Sequence, residues 1–129
     1  NPARPLLERA LTIYETTIGP DHPATAHTLN NLALLLFNLG DTAAAIPLFE
    51  RALSIYKRFL GPNHPDTATA MNNLAIILYH QGLYQVAYHL MQQVIQIREQ
   101  ILPPNHPYTQ ASRKWLTQIE TARTDSAKH

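Results

Sequence analysis

The chain has 129 residues, with 10 Lys and Arg against 9 Asp and Glu, so its formal net charge at pH 7 is +1 with histidine neutral. A near-neutral chain lacks the strongly basic face that bulk nucleic acid or an anionic membrane requires, and we expect neither partner. There is no cysteine, which excludes a disulfide framework, a thiolate nucleophile and a cysteine metal site, and which fits a reducing, cytoplasmic location. The longest apolar run, 32–37, is far shorter than the ~20 residues that span a bilayer. No signal peptide is recognisable, and a start at Asn1 without Met suggests a processed or excised fragment of a longer protein.

Apolar residues recur at spacings of three and four along six segments, which predicts six amphipathic helices. Gly19 and Gly40 end the first two, and Asp41 is suited to cap the third because its carboxylate accepts hydrogen bonds from unpaired backbone N–H groups. Pro47 lies inside the third helix, where a proline costs about 3 kcal/mol and kinks the chain. A polar tail over 124–129 is expected to fray. The predicted helices are 6–18, 24–39, 42–60, 66–81, 83–101 and 107–123.

One sequence stretch occurs three times along the chain. It reads GPDHPATA at 19–26, GPNHPDTA at 61–68 and, in a degenerate form, PPNHPYT at 103–109. The offsets are 61 − 19 = 42 and 103 − 61 = 42. A fixed period of this size indicates a repeat array in which each helix pair buries its apolar face against its neighbours.

The array is predicted to fill 1–129 as a single all-α domain of six helices, and to begin and end in mid-repeat. Its predicted parts are the second helix of an incomplete repeat (1–19), two full repeats (20–61 and 62–103), the first helix of a degenerate terminal repeat (104–123) and the tail. The first helix would then have no hairpin partner, so we expect another part of a longer array, or another chain, to cover it.

Small and apolar residues at fixed places give this repeat a family resemblance. They are Leu32, Ala33, Gly40, Ala45, Phe49 and Ala52 in one repeat, and Leu74, Ala75, Gly82, Ala87, Met91 and Val94 in the next. Their spacing resembles that of the tetratricopeptide repeat, although the ordinary repeat is shorter, at ~34 residues. Segments 29–33, 50–56 and 60–67 resemble the kinesin light chain subtype, which also places a proline where Pro47 stands.

The resemblance extends from residue 6 to about residue 120. It implies a right-handed superhelical α-solenoid of antiparallel helix hairpins. The third copy departs from the pattern, because 114–117 reads Lys-Trp-Leu-Thr where the other copies read Asn-Asn-Leu-Ala, and Pro103 replaces a glycine.

Two adjacent asparagines occur in the middle of the second helix and again in the fourth. Asparagine is a poor choice for a helix interior, yet the pair is repeated at Asn30-Asn31 and Asn72-Asn73. The resemblance implies that first helices of hairpins line a concave surface, with Asn31 and Asn73 as successive rungs of an amide ladder. Such a ladder can pair with the backbone of an extended peptide, because an amide both donates and accepts hydrogen bonds. Alternatively, one Asn of each pair bonds between neighbouring helices.

The expected partner is a protein or peptide, and the expected mechanism is binding in the concave groove without catalysis. No catalytic set, phosphate-binding glycine loop, metal or cofactor is predicted. The alternative is self-assembly, in which the uncovered first helix packs on 107–123 of another copy and makes a homo-oligomer. The residues predicted around the peptide are His27, Asn30, Asn31, Leu34, Phe37 and Asn38, then Thr69, Asn72, Asn73, Ile76, Tyr79 and His80, and finally Lys114 and Gln118.

Three histidines, His22, His64 and His106, recur once per repeat. They suggest metal ligands, but stacked repeats would hold them roughly 8–10 Å apart, too far to share one zinc ion. The expected alternative is that each imidazole caps the helix that begins at the following proline. The basic residues of the second helices, Arg51, Lys57, Arg58 and Arg98, are expected to form a solvated convex face.

Overall fold

The structure, a computed structural model, describes residues 3–127, and within that range it contains six α-helices and no strand. The prediction of an all-α chain with six helices is therefore confirmed. The chain divides into two compact units between Ala70 and Met71, inside the fourth helix, and each unit is described by itself. The helices are α1 (Ala3–Thr17), α2 (Pro23–Asn38), α3 (Thr42–Phe59), α4 (Pro65–His80), α5 (Tyr84–Ile101) and α6 (Pro107–Ala127).

Two helix ends differ from the prediction by more than two residues. Helix α1 begins at Ala3 because Pro5 stands in its first turn, where a missing N–H costs no hydrogen bond. Helix α6 continues to Ala127, so the prediction of a frayed tail is wrong for 124–127, while residues 128 and 129 lie outside the described range. The reason is local: position 124 holds Thr where the repeat places Gly40 and Gly82, so nothing stops the helix.

In the first unit, α2 packs against both α1 and α3. Ala26, Leu29 and Ala33 of α2 are completely buried, as is Ala52 of α3, and Phe49 of α3 is 1 % exposed. The small alanine side chains let the helix backbones approach closely, while large side chains such as Phe49 and Leu29 contribute buried apolar area.

In the second unit, α5 packs against α6. Met91 and Val94 of α5 and Ile119 of α6 are completely buried, as are Ala75 and Ile77 of α4. The apolar core of this unit therefore draws on all three of its helical segments.

Each repeated histidine accepts a hydrogen bond at the start of a helix. The Nδ1 atoms of His22, His64 and His106 accept from the backbone N–H groups of Ala24, Asp66 and Tyr108 at 3.0, 3.0 and 3.1 Å. The interpretation of these residues as helix caps is confirmed, because each imidazole satisfies an N–H group that has no partner within the helix.

The start of α3 also follows the sequence rules. The Oδ1 atom of Asp41 accepts a hydrogen bond from the N–H of Ala44 at 3.3 Å, which confirms Asp41 as its cap. Pro47 lies inside α3, which continues as a helix on both sides of it. It stands in the second turn, so only a hydrogen bond near the helix start is lost.

In each of the first two loops between repeats, a buried threonine makes a hydrogen bond to the loop backbone. The hydroxyls of Thr25 and Thr67 donate to the carbonyls of Gly19 and Gly61, both at 2.8 Å. Gly61 reaches this position with φ at +99°, a conformation that favours glycine.

The third loop lacks this threonine hydrogen bond. Because proline is restricted to negative φ, Pro103 cannot copy Gly61, and the chain leaves α5 in an extended conformation at Leu102. The hydroxyl of Thr109 is buried and has no hydrogen-bond partner. The third copy thus keeps the threonine and loses its acceptor.

We predict opposite effects for the same substitution in two of these loops. Thr67→Val should lower the free energy of unfolding by about 1–2 kcal/mol, because it removes a buried hydrogen bond and leaves the Gly61 carbonyl with only the long 3.4 Å bond from the His64 N–H. Thr109→Val should be neutral or stabilising, since it replaces an unsatisfied hydroxyl with a methyl group. Urea unfolding followed by far-UV circular dichroism measures both, and a larger loss for Thr109→Val would contradict the loop assignment.

Candidate functional site

The two residues of each asparagine pair have different surroundings. In α2, Asn30 is 8 % exposed whereas Asn31 is exposed. In α4, Asn72 and Asn73 are both half-buried, and Oδ1 of Asn72 accepts a hydrogen bond from the Ser112 hydroxyl of α6 at 3.0 Å. In the second unit, therefore, the first Asn of the pair bonds between helices, which is the alternative role that the sequence left open. Asn30 has little surface to offer a ligand.

The predicted ligand-binding residues of the first unit lie at varied depth. His27, Asn31, Asn38 and Thr69 are exposed, and Leu34 and Phe37 are half-buried. The His27 ring meets the ring of Tyr56 edge to face, with centroids 6.0 Å apart. Burial, and to a smaller extent Asp66, raises the pKa of Tyr56 to about 12, so its hydroxyl stays neutral and is no candidate for proton transfer near neutral pH.

In the second unit, His80, Lys114 and Gln118 are exposed, and Ile76 and Tyr79 are half-buried. The structure brings two of them, Tyr79 and His80, together with two residues that the sequence did not place in the site. The Tyr79 ring lies 5.3 Å from His80, 5.7 Å from Tyr84 and 5.7 Å from Trp115, measured between centroids. His80 also meets Trp115 at 6.2 Å. We call Tyr79, His80, Tyr84 and Trp115 the aromatic cluster.

In the sequence, Trp115 is a departure from the Asn-Asn-Leu-Ala pattern, and neither it nor Tyr84 is among the predicted binding residues. Trp115 stands at the same repeat position as Asn73, since 73 + 42 = 115. That register could have indicated a partly exposed ring on the corresponding face of α6. Tyr84 starts α5, and nothing in its spacing links it to α6.

Arg98 is not part of a solvated face, and that prediction is wrong. It is 7 % exposed, and one of its guanidinium nitrogens, Nη1, donates to the Ser112 hydroxyl at 2.8 Å and to the Tyr108 carbonyl at 3.2 Å. Ser112 in turn donates to Asn72. Burial lowers the pKa of Arg98 from its usual high value, and we call Arg98, Ser112 and Asn72 the buried polar chain. It ties α5, α6 and α4 together within the second unit.

Within 3–127, no three His, Cys, Asp or Glu side chains lie close enough to hold a metal ion. In the same range, no helix combines the length and the apolar composition that crossing a bilayer needs.

Sequence comparison identifies one family. The tetratricopeptide repeat model matches residues 3–58, 28–100 and 66–123. These overlapping matches cover the first five helices and α6 up to residue 123, and repeats of this family generally mediate protein–protein interactions. No match was found among curated proteins.

Solved structures of similar fold point to a subtype of that family. A candidate kinesin light chain from Podosopora anserina with nearly identical TPR-like repeats is 27 % identical, and a variant of it gives the same TM-score of 0.89. Each alignment covers 98 % of this chain but 59 % and 60 % of the two solved chains.

BtubC (BKLC) from P. vanneervenii, at 22 % identity, shows the fold alone, with a TM-score of 0.88 over 95 % of this chain and 49 % of that one. The chain thus spans about three fifths or less of these neighbours. The chain belongs to the tetratricopeptide repeat family, and its repeats are of the kinesin light chain-like kind.

Proposed function

We propose that this chain is a binding module that holds a peptide or an extended segment of a partner protein against the exposed face of its first-type helices, α2, α4 and α6. Binding is an equilibrium without a chemical step. The observation that carries the proposal is the division of labour within the asparagine pairs. The buried Asn30 and the Ser112-bonded Asn72 support the fold, whereas Asn31 is exposed and Asn73 is half-buried, so both second amides keep surface that a peptide can reach.

The polar and apolar groups around these amides suit a peptide of mixed character. Asn38, Lys114 and Gln118 are exposed and can bond to a peptide backbone, while Leu34 and Ile76 are half-buried and offer apolar contact. Lys114 is the one cation among the predicted binding residues, so a strongly acidic ligand has little to pair with. That Asn31 and Asn73 line up as successive rungs remains a prediction, as do the repeat boundaries 20–61 and 62–103 and the cytoplasmic location.

Selection from a displayed random-peptide library, followed by amide chemical-shift mapping, tests this function. The expected result is a set of ligands whose shifts concentrate on α2, α4 and α6. A library that yields no ligand, or ligands whose shifts concentrate on α1, α3 and α5, would overturn the proposal.

A second candidate function, self-assembly, is favoured by the surface of α1. Leu6 and Ile13 are 65 % and 53 % exposed, whereas Ile55, which occupies the place of Ile13 one repeat later (13 + 42 = 55), is 3 % exposed. A row of exposed apolar side chains on one helix is typical of an interaction surface.

The partner proposed for α1, helix α6 of another copy, is less suited to it. By the repeat register, the positions of Leu29, Ala33 and Leu36 in α2 are taken in α6 by Arg113, Thr117 and Glu120 (29 + 84 = 113). The α2 residues are buried, and polar groups in their place would lose water on contact with an apolar stripe.

Light scattering over a concentration series tests self-assembly. If α1 mediates it, the apparent mass should rise with concentration, and Ile13→Asp should abolish the rise while leaving the helix content unchanged. A constant monomer mass at high concentration would exclude it.

A further inference from the structure

The aromatic cluster has partly accessible rings. Its ring pairs meet at interplanar angles of 51° to 75°, so none of these contacts is a parallel stack that would cover a whole face. Tyr79, Tyr84 and Trp115 are half-buried and His80 is exposed. Aromatic rings held in this way by three different helices form a preorganised apolar surface with polar edges.

Two polar groups near the cluster, the Trp115 indole N–H and the Lys114 ammonium, can only donate hydrogen bonds. The Gln118 amide, one turn further along α6, both donates and accepts. Asn73 shares a face of α4 with His80, because the two are seven residues apart. A ligand that offers carbonyl acceptors would satisfy this surface better than one that offers many donors.

Carboxylates are scarce in this part of the chain. Residues 71–127 contain three, Glu99, Glu120 and Asp125. Glu99 pairs with Arg113 and Glu120 pairs with Arg123, at 3.5 and 2.7 Å. The third, Asp125, lies ten residues beyond Trp115, which is about 15 Å along α6. An arginine or lysine side chain of a ligand would therefore find no unpaired carboxylate of α6 next to the rings, which disfavours a cationic peptide.

A proline-rich segment in the polyproline II conformation suits the apolar rings, the hydrogen-bond donors and the scarcity of carboxylates at the cluster. Its rings are apolar and uncharged, its carbonyls are exposed acceptors, and its prolines have no N–H to satisfy. Such segments dock in grooves lined by aromatic side chains, at a low entropic cost because the helix is already formed.

We infer that the aromatic cluster of the second unit is a docking site for a proline-rich segment of a partner protein. This inference rests on the proposed function, because it names the chemistry of the peptide that the same helix faces would bind.

Titrations of the whole chain with short synthetic peptides test the inference. The chain contains one tryptophan, so the emission of Trp115 reports directly on the site. The probes are an oligoproline peptide, a peptide of equal length with alanine in place of every proline, and an arginine-rich peptide. Oligoproline should shift the emission and bind at least about tenfold more tightly than the other two, a difference of about 1.4 kcal/mol.

Variants locate the binding. Tyr79→Leu and His80→Ala should each weaken oligoproline binding several-fold, and the exposed His80 can be truncated without risk to the core. Phe59→Leu, which changes an exposed ring on α3, is the matched control and should leave the affinity unchanged. Equal affinity for the alanine or arginine peptide, or no effect of either variant, would overturn the inference.

Failure of this inference and failure of the proposed function give different results. If library peptides bind to α2, α4 and α6 but contain no proline and leave the Trp115 emission unchanged, the inference alone is wrong. If no peptide of any kind binds those helices, the proposed function itself fails.

Discussion

Phe49→Ala is expected to destabilise the protein more than any other single substitution considered for it. The Phe49 side chain is 1 % exposed and lies at the centre of α3. Its removal takes a large apolar group from the core and leaves a cavity that the alanines Ala45 and Ala52 on the same helix are too small to fill. We expect the free energy of unfolding to fall by about 3–5 kcal/mol, as for other buried aromatic residues. Urea unfolding followed by far-UV circular dichroism measures the change.

The matched control lies on the same helix. Phe59 is 51 % exposed, and the guanidinium of Arg58 lies 5.4 Å from its ring centroid. Phe59→Ala should therefore cost less than about 1 kcal/mol. Similar losses for the two variants would mean that Phe49 does not fill the core in the way described.

Arg98→Leu is the second substitution with a large expected effect. It removes the donor that reaches both the Ser112 hydroxyl and the Tyr108 carbonyl, and Ser112 is itself completely buried. Hydrogen bonds from charged groups contribute about 1.5–3 kcal/mol, and we expect a loss in that range. Thermal and urea unfolding should both report it, and a variant as stable as the natural chain would show that the buried polar chain adds nothing to stability.

A double variant tests whether apolar packing can replace the buried Arg98 charge together with its hydrogen bonds. The repeat register places Tyr56 and Ala70 where Arg98 and Ser112 stand (56 + 42 = 98 and 70 + 42 = 112), and both earlier residues are buried. Arg98→Tyr with Ser112→Ala should therefore recover most of the stability that Arg98→Leu loses, because apolar packing often replaces a buried charged group without a net cost. If the stability is not recovered, the surroundings of Arg98 and Ser112 cannot accept the residues that fill the equivalent positions one repeat earlier.

The six helices could be predicted because local signals agree along the repeats. Apolar spacing, a glycine after α2, the Asp41 cap and the proline after each loop histidine all favour the same boundaries. The 42-residue period was the most informative signal for the helix boundaries, because each boundary could be compared with its counterpart in the next repeat. Helix α6 ran past its prediction because Thr124 lacks the conformational signal that a glycine gives.

The site was less predictable because exposure depends on neighbours that are distant in sequence. Arg98 looked like any surface cation on a helix, and its burial is made possible by acceptors later in the chain, the Tyr108 carbonyl and the Ser112 hydroxyl. The asparagine pairs were recognisable as unusual, but which of the two residues faces a neighbouring helix follows from the Ser112–Asn72 bond. Nothing in the sequence indicated that Tyr84 belongs to the aromatic cluster, because its ring contacts Tyr79 on another helix.

The most direct measurement of the central claim is the affinity of a library-selected peptide for the double variant Asn31→Ala with Asn73→Ala. The matched control is Gln93→Ala with Gln96→Ala, which removes two exposed amides from α5, a helix outside the proposed face. If the two asparagines bind the peptide backbone, the asparagine variant should bind at least about tenfold more weakly, or about 1.4 kcal/mol, while the control binds as the natural chain does. Unchanged affinity in a folded asparagine variant would contradict the account.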